Sequence, residues 1–320
     1  MITFKEAIEA CGDKPRTILL GNGFSIAQAG AQFSYANLLE RSGLDEKNPI
    51  RNVFSALKTC DFEEVMHALQ HAAVVEAAYN DNAKASKFRA DAASVREALI
   101  RAVRSVHPGA KFEIPAIQLE TCAKFLDNFQ SIFTVNYDLL LYWVILQRTK
   151  THSDGFGRGA EVGGFRTFYA DAKCNTYFLH GALHLFLGNY RETKKRIVTN
   201  ATIIDDLEQT IRTSGQLPLF VAEGLPLQKL AKINSVAYLR RGYQRLKEVS
   251  GNIFIFGHSA AANDSHIYGA LFSSKIEQLF FCVHDAEGLP EYQERLAPFS
   301  ARNPDLEIFY VDASSARVWG

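Results

Sequence analysis

The sequence predicts an α/β fold: a doubly wound parallel sheet covered by helices, carrying a mostly helical insertion. Three observations support this. Short apolar runs recur along the chain without clean alternation, as strands buried on both faces do. Segments with apolar residues at helical spacing lie between them. About 110 residues of nearly continuous helical pattern separate the first run from the second, too many for one crossover helix.

The elements follow in order. Thr17–Leu20 (TILL) reads as the first buried strand, closed by Gly21. Residues at about 32–128 read as a helical elaboration beside the sheet. Within it, Asp61 and Glu64 make a D-x-x-E start signal ahead of VMHALQHAAVVEAAY. Lys84–Val106 is rich in Ala, Arg and Glu, and Pro115–Phe129 has apolar residues at helical spacing. Further strands are expected at Ser131–Thr134, Thr176–Leu179, Asn252–Phe256, Gln278–Val283 and Glu307–Val311. His152–Gly164 holds five glycines and predicts a mobile surface loop. One helix is expected over Pro226–Val249, stopped by Gly251, and others over Asp264–Ser274 and Pro290–Ala301. Such alternation is the Rossmann-like plan, and residues 1–320 are read as one domain of that kind.

Composition narrows the function. The 320 residues, 47% hydrophobic, suffice for one sizeable core. Thirty-five basic residues balance 35 acidic ones, so the excess that a phosphate-neutralising nucleic-acid binder carries is missing. Lys194-Lys195-Arg196 and Arg240-Arg241 read as solvated clusters. The five cysteines are far apart, with no CxxC pair, so neither zinc nor a disulfide framework is expected. No signal peptide and no run of ~20 apolar residues is seen, which predicts a cytoplasmic protein without a membrane segment.

Four strand ends carry candidate chemistry, at the sheet edge where open α/β folds bind ligands. Gly21, Asn22, Gly23, Phe24 and Ser25 follow the first strand. Two glycines there allow backbone N–H groups to approach a pyrophosphate; an ordinary strand–turn–helix would use them for geometry alone. Ile26 stands where a G-x-G-x-x-G turn has its third glycine, and Glu40, at the distance of a ribose-binding acid, sits in a helical pattern. Asn136 and Asp138 follow the second strand, as a donor–acceptor amide and a carboxylate, or as caps of the next helix. His180, before Gly181, suits general-base work or a hydrogen-bonded core position. His184, four residues on, is not placed to share a ligand with it. Gly257, His258 and Ser259 follow a later strand, with Asp264 ahead of a helix as ligand contact or N-cap.

In this order the motifs resemble the sirtuins, which carry a G-x-G-x-S turn, a T-Q-N-x-D strand end, an H-G pair and a G-T-S turn. Here they read Gly21-Asn22-Gly23-Phe24-Ser25, Thr134-Val135-Asn136-Tyr137-Asp138, His180-Gly181 and Gly257-His258-Ser259. The NYD form and the G-H-S-x-x-x-x-D turn are similar to bacterial sirtuin-like proteins. The resemblance implies that the two glycine turns cradle NAD, that Asn136 and Asp138 sit at the nicotinamide ribose, and that His180 is the base. The cysteine-bearing zinc module of true sirtuins is absent; Leu183–Ser250 reads as one hairpin and helices.

The resemblance therefore implies an NAD glycohydrolase, of the kind bacteria use against phage, with NAD as substrate and no zinc. Alternatives are a non-catalytic sensor of NAD or ADP-ribose and an NAD-dependent deacylase. A hydrolase that drains NAD implies control by homo-oligomeric assembly or by a defence-system partner. Direct nucleic-acid binding is not expected.

Overall fold

The structure, a computed structural model, describes residues 1–29, 38–106, 114–148, 151–157, 161–170, 172–188, 190–197, 203–221 and 225–320. The ten strands among these residues are β1 (Arg16–Leu20), β2 (Ser131–Thr134), β3 (Phe165–Thr167), β4 (Thr176–Phe178), β5 (Gly181–Leu187), β6 (Thr193–Arg196), β7 (Pro218–Phe220), β8 (Ser250–Phe256), β9 (Lys275–Val283) and β10 (Glu307–Asp312). Six form one sheet in the order β10-β9-β8-β1-β2-β4, every neighbour parallel. Counted as they enter the sheet, that order is 3-2-1-4-5-6, a Rossmann-like doubly wound arrangement, and it reverses between β1 and β8.

Burial on both faces explains the apolar runs. Ile18, Leu19 and Leu20 of β1 and Ile253, Phe254 and Ile255 of β8 have no exposed surface. Parallel register lines up an aromatic ladder, Phe254 stacked on Phe280 at 4.6 Å and Phe280 on Phe309 at 5.1 Å. That face is covered by α1 (Phe4–Ala10) and α7 (Ala116–Leu126), whose Phe4 and Phe125 meet Phe254 and Phe256. The opposite face carries Phe281, against Tyr292 of α13 (Leu289–Ser300).

Between β1 and β2 lie α2 (Asn22–Ala29), α3 (Leu38–Arg41), α4 (Pro49–Leu57), α5 (Phe62–Ala78), α6 (Asn82–Val106) and α7. The start signal of α5 is made as expected: Asp61 accepts from the N–H groups of Glu63 and Glu64. Residues 30–37 and 107–113 of this stretch lie outside the described residues. After β2 comes α8 (Leu140–Arg148), and α9 (Ile203–Ser214) precedes β7.

Three expectations are corrected. The stretch read as one hairpin and helices supplies most of β5 together with β6 and β7 to a second, antiparallel sheet, β3-β6-β5-β7, whose β3 comes from before it. The single helix over Pro226–Val249 is two, α10 (Pro226–Ser235) and α11 (Ala237–Lys247). Buried Val236 turns the corner in an extended conformation, φ −115° and ψ 123°. The glycine-rich segment is no surface loop at its start: His152 is buried against the Phe129 carbonyl, Asp154 holds buried Lys195 at 2.7 Å, and Phe156 is fully buried. Its residues 158–160 lie outside the described residues. No helix among the described residues is long and apolar enough to cross a membrane.

Candidate functional site

A cavity of about 1000 Å³ opens at the carboxyl ends of β1, β2 and β8, where the strand order reverses. It lies at the top of the ~300–1,000 Å³ range of ligand pockets. Its walls include Asn22, Gly23, Asn136, His180, Gly257, His258, Ser259 and Asp264. Gly21, Phe24, Ser25 and Asp138 lie behind these walls, and Glu40 pairs with Arg51 instead.

The glycines serve contact between two turns. Gly23 N–H donates to the Gly257 carbonyl at 2.7 Å, and Gly21 N–H to the Phe256 carbonyl at 2.9 Å. A Cβ at Gly23 would sit 2.6 Å from Gly257 Cα, and one at Gly21 2.7 Å from the Gly257 carbonyl oxygen. Gly257 itself has φ +69°, which favours glycine. The missing side chains thus let the start of α2 meet the turn after β8, and valine at Gly23 would test the fold before it tested the pocket. Phe24 N–H donates to the Gly21 carbonyl at 3.0 Å. Three of the turn's N–H groups, those of Gly21, Gly23 and Phe24, are therefore already engaged within the protein. Phe24 packs on Trp319 at 5.0 Å and accepts its indole N–H at 2.9 Å, fixing one cavity wall. Asn22 Oδ1 is buried without a hydrogen-bond partner among the described residues.

Behind the wall runs a hydrogen-bond chain. Ser25 Oγ donates to Asp138 Oδ2 at 2.5 Å, while Asp138 Oδ1 accepts Leu140 N–H at 2.7 Å as the start of α8 is approached. Asn136 Nδ2 donates to the Gly21 carbonyl at 2.9 Å and to Ser25 Oγ at 3.1 Å. A carbonyl accepts only, so this fixes the amide's orientation. Both amide hydrogens are spent, and Asn136 Oδ1 remains as an acceptor at the cavity wall. Ser25 and Asp138, expected at the cofactor, lie behind the lining, where Ser25 bonds both Asp138 and the Asn136 amide.

His180 sits at the junction of the two sheets, between β4 and β5. Gly181 makes the hand-over: its φ is +75°, and a Cβ there would strike the Leu219 carbonyl at 2.1 Å. The His180 carbonyl accepts Val221 N–H at 2.7 Å. His180 Nε2 lies 3.1 Å from Nε2 of His266 on α12 (Ser265–Phe272). Burial pushes His180 down to about 3 and His266 to about 4, against the opposing pull of Asp264. Both rings are neutral at neutral pH.

Asp264 is the charged centre of the wall. Lys229 Nζ on α10 is 2.9 Å from its Oδ1, and His258 Nε2 is 3.4 Å from its Oδ2. His258 Nδ1 accepts from Ala260 N–H at 3.0 Å and lies 2.9 Å from the Tyr268 hydroxyl, so the ring proton sits on Nε2, toward Asp264. Burial raises the Asp264 carboxyl, but the His258 hydrogen bond and the Lys229 ammonium work against it, and the group is held well below the carboxylate range.

His180, Asp264 and His266 each bring a potential ligand atom within 4.8 Å of the other two. Asp264 is already held by a buried ammonium and an imidazole N–H, and that ammonium would repel a cation. We read the group as a hydrogen-bonded charge cluster.

Sequence reasoning missed Lys229 and His266. Lys229 lies four residues before buried Ile233, on the inner face of α10, and that spacing was the available signal. His266 precedes the buried run Ile267–Tyr268 and had no comparable mark. Nor did the sequence show that Tyr292, Arg317 and Trp319 complete the cavity beyond β9 and β10.

A family described as a domain of unknown function (DUF4917) matches residues 18–319. No curated protein matches the chain. Among solved structures, one of Sir2 with a deacetylated p53 peptide and 3′-O-acetyl ADP ribose is similar at 12% identity and a TM-score of 0.44, covering 99% of this chain and 97% of that one. A likeness that distant carries no argument about the site.

Proposed function

The chain belongs to the DUF4917 family, and we propose that it binds NAD in the switch-point cavity and hydrolyses it to nicotinamide and ADP-ribose. The observation that carries this reading is Asn136. Its amide is turned by Gly21 and Ser25 so that one acceptor oxygen is left at the cavity that neutral His180 also lines. The sirtuin-like order of the strand-end motifs supports NAD as the dinucleotide. Gly23, Gly257 and Ser259 would face its phosphates, and Asn22 offers an unsatisfied acceptor to a ligand hydroxyl or amide.

The reaction is displacement at the ribose anomeric carbon, C1′. Nicotinamide leaves with the electron pair of the C1′–N bond and departs neutral, while a water oxygen forms the new bond to C1′. Asn136 Oδ1 accepts a hydrogen bond from that water and holds it in line. His180 takes the proton the water loses. The ionised Asp264 carboxylate, within 4.8 Å of His180, favours the positive charge that develops. NAD and water thus give ADP-ribose, nicotinamide and a proton. We place the chain with sirtuin-like bacterial effectors that drain NAD against phage.

The test is incubation of the purified protein with NAD, following nicotinamide and ADP-ribose by chromatography, alongside calorimetric titration with ADP-ribose. The reading expects both products in equal amounts. Binding without product would favour the sensor reading, and neither binding nor product would overturn the proposal.

A further inference from the structure

Two buried imidazoles meet nitrogen to nitrogen behind the reactive end of the cavity, and only one of them lines it. His180 Nε2 and His266 Nε2 are 3.1 Å apart, with rings nearly coplanar at 18° and centroids 5.3 Å apart. Each neutral ring has one N–H and one lone pair. At that separation two lone pairs would repel and two N–H groups would clash, so a single proton lies between the nitrogens. The tautomer of one ring therefore dictates that of the other.

We propose that His266 is the positioning residue for His180: it accepts the His180 Nε2 proton and so leaves the His180 Nδ1 lone pair free for the cavity. The inference rests on the NAD-hydrolase reading and deepens it by naming the reacting atom of the base and its proton partner. No hydrogen bond to His180 Nδ1 is made among the described residues, and with His180 in the cavity wall it is the nitrogen left for a water or a ribose hydroxyl. When water attacks C1′, its O–H bond breaks, the oxygen's electron pair forms the C–O bond, and the proton goes to His180 Nδ1. The Nε2 proton then shifts across the 3.1 Å contact to His266 Nε2, so positive charge is shared by both rings. The charged and titratable groups facing the pair are Asp264, Lys229 and His258. Of these, Asp264 is the anion that offsets the added charge. His266 Nδ1, which then carries that ring's own proton, has no partner among the described residues, so no third group there locks the pair's proton in place.

The pair also explains why so buried a histidine can act as a base. Alone, His180 would have to carry its charge in an apolar wall; paired, it delivers that charge toward an ionised carboxylate.

The test is the side-chain nitrogen spectrum of histidine-labelled protein at neutral pH, with His180→Ala used to assign the ring. The expected result is His180 protonated at Nε2 and unprotonated at Nδ1, whether or not NAD is turned over. The opposite tautomer would overturn the proposal and leave the hydrolase reading standing. Stoichiometric zinc that moves both Nε2 resonances would also overturn it, because a metal would then occupy the place of the shared proton. Kinetically, His266→Ala should lower kcat at least tenfold with KM within threefold. His266→Asn, which restores an acceptor, should recover part of that loss. Equal losses in both variants with intact melting curves would assign His266 a merely structural role.

Discussion

Alanine at Gly257 should destabilise the whole chain, because that glycine's missing side chain is the space in which two turns meet. The new Cβ would stand 2.4 Å from Phe24 N and 2.7 Å from Gly23 C, both backbone atoms that no rotamer change can move. Overpacking of this kind costs ~1–3 kcal/mol, and the left-handed backbone at φ +69° adds ~1–2 kcal/mol for a residue with a Cβ. The sum is roughly 2–5 kcal/mol, a large part of the ~5–15 kcal/mol that holds a domain folded. At ~2–4 °C per kcal/mol, the melting temperature should drop by roughly 4–20 °C. Gly269→Ala is the internal control. That glycine lies in α12 with nothing within 4 Å of its Cβ position, and alanine there should be neutral or stabilise by up to ~1 kcal/mol. Thermal melts of the two variants beside wild type are the assay. A Gly257→Ala melt within 1 °C of wild type would refute the packing argument and return the glycines to a purely ligand-binding role.

Asn136→Ala and His180→Ala should each lower nicotinamide release by ~10²–10⁴-fold while changing ADP-ribose affinity little; turnover near the wild-type rate in both would exclude the mechanism. Lys229→Met leaves Asp264 without its ammonium and should cost ~3 kcal/mol, whereas Lys229→Met with Asp264→Asn should cost less than the two single changes summed; additive denaturation energies would show that the pair is not coupled. Stability should also fall in mild acid. His180 and His266 bind protons more weakly folded, at about 3 and about 4, than unfolded, near ~6.5. Their contribution is thus complete above ~6.5 and is lost as pH falls toward 4, each at up to ~1.4 kcal/mol per pH unit. Buried His152 and His184 act in the same direction, while the Asp264 contribution is lost only below the ordinary carboxylate range. A melting temperature unchanged between pH 7 and 5 would contradict this.

The main sheet was legible because its strands are buried on both faces. All six runs read from the sequence fall on observed strands, and Ser131–Thr134 matches residue for residue. The second sheet was not legible. Thr193–Arg196 is half-exposed and reads TKKR, and Phe165–Thr167 is three residues long, so neither shows the periodicity that marks a strand. The break at Val236 has no glycine or proline to announce it.

The site was legible as residue types at strand ends, and Asn136, His180, His258 and Asp264 do converge on one cavity. What each one does was not, because roles depend on partners far apart in sequence. Asp138 serves Ser25 across 113 positions, and His180 meets His266 across 86. Lys229 is a lysine in an amphipathic helix until the fold sets it against Asp264.

In the proposed reaction the reactive ribose of NAD sits against Asn136 and His180 at the switch point. A crystal structure with ADP-ribose measures this directly. The account predicts the pyrophosphate along Gly23, Gly257 and Ser259, and the ribose C1′ facing Asn136, with a water about 3–3.5 Å from it held by Asn136 Oδ1. ADP-ribose seated in the second cavity, beside Asp61, His67 and Lys232, or lying reversed with its adenine at His180, would contradict it.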